Sequence, residues 1–314
     1  MNDPRFELRG QCPRCGGFIF NEVVFCPYCG ADLRGPKELP RGLKLFLAFL
    51  KCLGFFAAFI LIQSIVSAVY MRLMYVIADE TVLKSEEALY NFYMSYVHYA
   101  SAFAGVATVG AYWVIYSAGG KSFTKKINLK SLSPAKCTGM AVYGMSVQII
   151  ISVGLSIFYL LFPSLSSHSN SESIGQMLEA GSLISRILNV AVVTGITEEI
   201  VFRGLIYNTL KGVMPRGVAI IASSLIFGIA HMNPEQTFYT TVLGILLCLV
   251  YEKCGTIIAP MIVHVSFNGT NFIFLYINFS NSAAYLALFL ISLGAALITT
   301  AFLFFTQKKS LNRL

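Results

Sequence analysis

Residues Leu43 to Tyr70 read LKLFLAFLKCLGFFAAFILIQSIVSAVY, and beyond Lys51 the stretch holds no charge. About 20 apolar residues are enough for a helix to cross a bilayer. The rest of the chain repeats the theme. Of its 314 residues 56% are hydrophobic and only 12% charged, against about 25% charged in a soluble domain, and the mean hydropathy is +0.69. This balance excludes a soluble enzyme, a disordered chain and a coiled coil. Eight hydrophobic spans are predicted, at about Leu43–Tyr70, Phe92–Ala118, Gly139–Phe162, Leu183–Leu210, Val218–Met232, Thr237–Tyr251, Thr256–Ile277 and Ala284–Phe305. The fold class is therefore an all-α polytopic membrane protein of about eight transmembrane helices. The fourth span is amphipathic, and the fifth and sixth are short, as helices packed inside a bundle are.

A net charge of +8 in such a chain marks cytoplasmic loops and not a nucleic-acid partner. The loop from Lys121 to Lys136 carries five lysines and no acid. The segment around Lys211 and Arg216 and the tail with Lys308, Lys309 and Arg313 are basic too. Loop Met71 to Asn91 is acidic, and loop Pro163 to Ser182 has Glu172 and Glu179 without Lys or Arg. This alternation predicts an integral, multi-pass cell-membrane protein with both termini in the cytoplasm. The basic loop could also bind anionic lipid, although a topology signal explains it sufficiently.

Residues 1–34 form a separate module. Cys12-Pro13-Arg14-Cys15-Gly16 and Cys26-Pro27-Tyr28-Cys29-Gly30 are two knuckles flanking GFIFNEVVF, which reads as two short strands and a turn. Two CxxC pairs suit one tetrahedral zinc with four thiolate ligands, Cys12, Cys15, Cys26 and Cys29. The doubled knuckles resemble a zinc ribbon, a small N-terminal β module. The Gly after each pair permits the tight turn at the sulfurs. So short a module cannot bury a sufficient core, so a structural Zn2+ must supply folding energy. Two disulfides or a redox pair are the alternatives. Residues 35–42 (GPKELPRG) read as a linker, and 43–314 as the membrane domain. Cys52, Cys137, Cys248 and Cys254 show no ligand spacing and read as small apolar residues.

Ionisable side chains are expensive in hydrocarbon and usually functional. Here they cluster in TEEIVFRG (Thr197–Gly204), FGIAH (Phe227–His231) and HVSFN (His264–Asn268). Helical spacing makes Glu199 and Arg203 an ion pair, turns Glu198 about 100° away from Glu199, and puts His264 and Asn268 on one face. Phe227 stacks one turn before His231. Depth agrees: Glu198 lies about 18 Å from Leu210, His231 about 20 Å from Val218, Asn268 about 18 Å and His264 about 12 Å from Thr256. A Glu in an apolar cavity can act as general base, a His can orient water or protonate a leaving amine, and Asn with a second His can bind an oxyanion. Such a set hydrolyses an amide without a Ser nucleophile. The plainer alternative is that these groups only bond helices together.

EExxxR, FxxxH and HxxxN in this order, each on an apolar span, resemble the intramembrane glutamic endopeptidases of the CPBP family (CAAX proteases and bacteriocin-processing proteins, also Abi). The resemblance covers about residues 183–277. It implies that Glu198 and His231 activate water, that His264 and Asn268 form the oxyanion site, and that Glu199 and Arg203 support it. It also implies a peptidase with no metal in the membrane site, acting on a membrane-associated peptide or protein. The ribbon would dock a cytosolic partner. Other readings are a metalloprotease with zinc on Glu198, His231 and His264, a non-catalytic immunity or binding protein, and a transporter. His98, His168 and Trp113 add nothing to the site: the two histidines fall near non-cytoplasmic ends and Trp113 suits an interfacial anchor.

Overall fold

The structure is a computed structural model; it describes residues 8–20, 23–33, 39–162, 175, 179–274 and 282–305. His168, the tail lysines and most of loop Pro163 to Ser182 lie outside the described residues, as does half of the linker. The chain divides into two compact units, Met1–Phe46 and Leu47–Leu314.

In the first unit, β1 (Leu8–Gln11) pairs antiparallel with β2 (Phe18–Phe20). The hairpin therefore encloses the first knuckle, whereas the sequence placed both strands between the knuckles. The second knuckle is closed by one bridge, Phe25 to Asp32. The physical reason is that each knuckle is a turn needing a strand on either side. Gly16 and Gly30 sit at φ +72° and +68°, the left-handed region that favours glycine. Their N–H groups close the turns onto Cys12 and Cys26 carbonyls at 2.8 and 2.9 Å.

The second unit is helical. Its elements are α1 (Arg41–Ile77, beginning in the first unit), α2 (Glu80–Leu83), α3 (Glu86–Ala118), α4 (Phe123–Lys126) and α5 (Pro134–Leu161). A composite helix follows: α6 (Leu183–Arg186), a π-helical stretch Ile187–Val193, α7 (Thr194–Glu198), a second π-helical stretch Glu199–Tyr207, and α8 (Asn208–Leu210). Then come α9 (Arg216–Ile229), α10 (Pro234–Cys254), α11 (Ile258–Phe274) and α12 (Ser282–Phe305). Each of the eight apolar spans is mainly helical over its described residues. Among the described residues four helices are long and apolar enough to cross a membrane: Arg41–Ile77, Glu86–Ala118, Pro134–Leu161 and Gln236–Cys254.

Two spans depart from expectation. The sixth is not short. Asn233 Oδ1 accepts from Gln236 N at 3.2 Å and Pro234 occupies the first turn, so the helix starts before the apolar run. The fifth stops early, at Ile229, which leaves His231 in the turn that follows, next to Met232 at φ +50°.

The inner helices pack without a hydrophobic force between them, because lipid is as apolar as they are, so close backbone approach matters. α5 meets α11 at Gly144, where an added Cβ would lie 2.3 Å from the Val263 carbonyl oxygen. The core beneath the site is aromatic: Phe202 and Phe227 rings meet at 5.0 Å and 70°, and both are buried.

Candidate active site

The composite fourth helix carries the two glutamates at the junction of α7 with the second π-helical stretch. The i→i+5 bonding of such stretches is rare and frequent at functional sites. Glu199 and Arg203 form the expected pair at 2.7 Å, with 0% and 1% of their side chains exposed. The guanidinium also donates to the Gly244 carbonyl at 3.2 Å and lies 4.4 Å from the centre of the Phe227 ring. A buried charge is tolerable only with this many partners. Glu198 points elsewhere: it is 16% exposed, and its Oε2 lies 3.7 Å from His264 Nε2.

Hydrogen bonds fix the two imidazoles. His231 Nδ1 lies 2.9 Å from the Phe227 carbonyl oxygen. A carbonyl only accepts, so Nδ1 carries a hydrogen, and in the neutral ring Nε2 presents a lone pair. His264 Nδ1 lies 2.8 Å from Glu199 Oε1. That oxygen is also bound to Arg203, hence carboxylate, and Nδ1 donates to it. Phe227 sets both rings, meeting His231 edge-on at 5.0 Å and His264 at 5.9 Å. Asn268 Nδ2 donates to the Val190 carbonyl at 2.9 Å, which uses one of its two amide hydrogens.

A cavity of about 740 Å³ is lined by Glu198, His231, His264 and Asn268, residues from the fourth span, the turn after α9, and α11. Glu199 and Arg203 stand behind it. Among the described residues, the only group of three or more metal-ligating side chains with ligand atoms gathered together is the four cysteines; Glu198, His231 and His264 do not form one. The cavity also holds polar residues that the motifs did not flag: Gln148, Asn189 and Asn271. An isolated Gln or Asn in an apolar span was the available signal. His98 is another omission. It is 1% exposed, and it accepts from Asn189 Nδ2 at 3.1 Å. Trp113 is exposed.

In the N-terminal unit the four cysteine sulfurs lie within 4.8 Å of one another. Cys12 and Cys29 are 3.8 Å apart, and Cys15 and Cys26 3.6 Å. A disulfide needs about 2.05 Å, while a tetrahedral Zn–S length of about 2.3 Å places sulfurs roughly 3.8 Å apart. The donor set therefore fits a metal. The Arg14 and Cys15 backbone amides bring the Cys12 thiol down to about 7. The Gly17 amide acts the same way on Cys15, but crowding by Cys29 and Cys26 pushes it up to about 12. Four thiols so close do not all ionise unless a cation joins them.

Residues 180–270 match the family model described as type II CAAX prenyl endopeptidase Rce1-like. A curated relative, "Putative membrane peptidase YdiL" of Bacillus subtilis (strain 168), is 29% identical over 113 residues. That alignment covers 36% of this chain and 46% of the relative, so the chain spans about half the length of the relative it matches. No solved structure matches. The family match contains all three motifs, and both likenesses support the CAAX protease family.

Proposed function

We propose that the chain is an intramembrane endopeptidase of the CPBP type, hydrolysing a peptide bond of a membrane-associated substrate. The carrying observation is that four side chains from three separate elements, Glu198, His231, His264 and Asn268, line one cavity, with a buried ion pair immediately behind it.

In this reading Glu198 and the bare Nε2 of His231 hold a water and remove its proton as its oxygen bonds to the scissile carbonyl carbon. The carbonyl electron pair moves onto oxygen. The second amide hydrogen of Asn268 meets the oxyanion, and so does Nε2 of His264. For His264 to donate there its ring must be doubly protonated. Glu199 and Glu198 flank it with the compensating charge. Collapse breaks the C–N bond, and the leaving amine takes the proton that the water gave up. The products are a carboxylic acid and an amine.

The metalloprotease alternative lacks a ligand cluster among the described residues of the cavity, and a purely binding role gives no account of the partly exposed Glu198 turned into the cavity beside His264. The four cysteines are assigned one structural zinc in a separable ribbon spanning residues 1–34, and the charge alternation supports cytoplasmic termini. The test is comparative proteomics of membranes carrying the unmodified chain or Glu198→Ala. New membrane-protein fragments that depend on Glu198 are expected, and identical fragment patterns overturn the reading.

A further inference from the structure

The cavity contains polar groups that water activation does not use. Gln148, 6% exposed on α5, donates through Nε2 to Asn271 Oδ1 at 2.5 Å and to Ser152 Oγ at 3.0 Å. Both its amide hydrogens are engaged, and its Oε1 is buried without a partner. Asn189, 1% exposed, gives its amide to His98, and its Oδ1 is likewise unpartnered. Both residues line the cavity. An unpaired buried acceptor costs free energy, most of all among apolar helices. Rotation about the soft terminal torsion turns such an oxygen toward a donor in the cavity but also moves the amide hydrogens, so the donor must offset the bonds they give up.

Position links these oxygens to the reacting bond. His264, Asn268 and Asn271 fall at i, i+4 and i+7 on α11, one face of a helix. Asn271, the partner of Gln148, is about 4.5 Å further along the axis than Asn268. That is one to two residues of extended peptide at about 3.3 Å each. Asn189 adjoins Val190, whose carbonyl holds Asn268. The two acceptors therefore line the same cavity as the position assigned to the scissile carbonyl.

We propose that Gln148 and Asn189 form a main-chain subsite, accepting backbone N–H groups of an extended apolar peptide segment near the scissile bond. The proposal rests on the hydrolase reading for which bond is scissile. The chemistry follows from the membrane. A helix must unwind before its carbonyl can be attacked, and unwinding frees N–H groups where little water can satisfy them. A carboxamide oxygen is the acceptor they need, whereas a hydrocarbon ligand would leave it unpaired.

The experiment measures binding of a fluorescein-labelled synthetic peptide to the full chain carrying Glu198→Gln, in lipid nanodiscs. The peptide has about 20 apolar residues around a central Gly–Gly pair, and a matched series carries single N-methylated amides. N-methylation at one or two positions near the pair is expected to weaken binding about tenfold. Adding Gln148→Leu should weaken the unmodified peptide by about the same factor and abolish sensitivity at one of those positions. Asn189→Leu should abolish it at a different one, which covers the case in which one variant does not fold. Equal binding across the N-methyl series overturns the proposal, as does a sensitivity pattern that neither variant changes. Cleavage by the chain with Glu198 intact is read separately. A peptide bound with the expected pattern yet uncleaved removes the hydrolase and keeps the subsite; one cleaved with a flat pattern removes only the subsite.

Discussion

Glu199 Oε1 accepts a hydrogen bond from His264 Nδ1 at 2.8 Å, between residues 65 positions apart. The same oxygen holds Arg203. A single buried carboxylate thus ties the fourth span to α11 and orients the imidazole facing Glu198. The spacing in EExxxR pairs Glu199 with Arg203 alone. Its second partner, the histidine of the third motif, makes Glu199 the link between motifs.

That link separates the two glutamates experimentally. Glu199→Gln removes the counter-charge of buried Arg203 and the acceptor of His264. A loss of roughly 3–5 kcal/mol of stability is expected, read as a lower Tm in detergent. Glu198→Gln, at a partly exposed site, should keep the Tm and abolish cleavage. Exchanged outcomes, with Glu198→Gln unstable yet active, would exchange the roles.

Asn268 holds the Val190 carbonyl with one amide hydrogen, and the proposed reaction assigns the other to the oxyanion. An oxyanion donor acts in the transition state, so Asn268→Ala should lower kcat by about 100- to 1,000-fold with KM nearly unchanged. Asn268→Asp should be at least as harmful, because a carboxylate repels the developing charge. Steady-state kinetics in proteoliposomes decide this: a raised KM with normal kcat would make Asn268 a substrate contact.

Zinc is expected at one equivalent per chain, all of it in the ribbon. Cys12→Ser with Cys26→Ser removes one ligand from each knuckle and should reduce metal content to near zero. Elemental analysis of the purified chain is the measurement. A full equivalent retained in that variant would relocate the metal to the membrane site.

Gly144 is a packing position rather than a chemical one. Gly144→Val places methyl groups where the Val263 carbonyl stands, and overpacking of about 1–3 kcal/mol is expected. Gly154→Val, on the same helix with nothing within 4 Å of its added Cβ, is the control and should leave the Tm close to that of the unmodified chain. Similar Tm losses in both would mean that α5 and α11 are not held at that contact.

The residues themselves determined the class of the molecule. Apolar runs of bilayer length need helices, because backbone groups in hydrocarbon must bond within their own segment. Two CxxC pairs marked the four-cysteine cluster, and three motifs marked span positions that line one cavity or stand behind it. These signals are local, repeating over a turn or a knuckle, and can be read along the chain. The tertiary structure decided the rest. The end of α9 before His231, the strand ahead of the first knuckle and the π-helical stretches in the fourth span depend on how neighbouring segments pack. So do the Glu199–His264 bond, the burial of His98 against Asn189 and the meeting of Gln148 with Asn271 across α5 and α11. Each joins residues far apart in the chain, and helical period orders the side chains of one helix but carries no information on which face of another helix they meet.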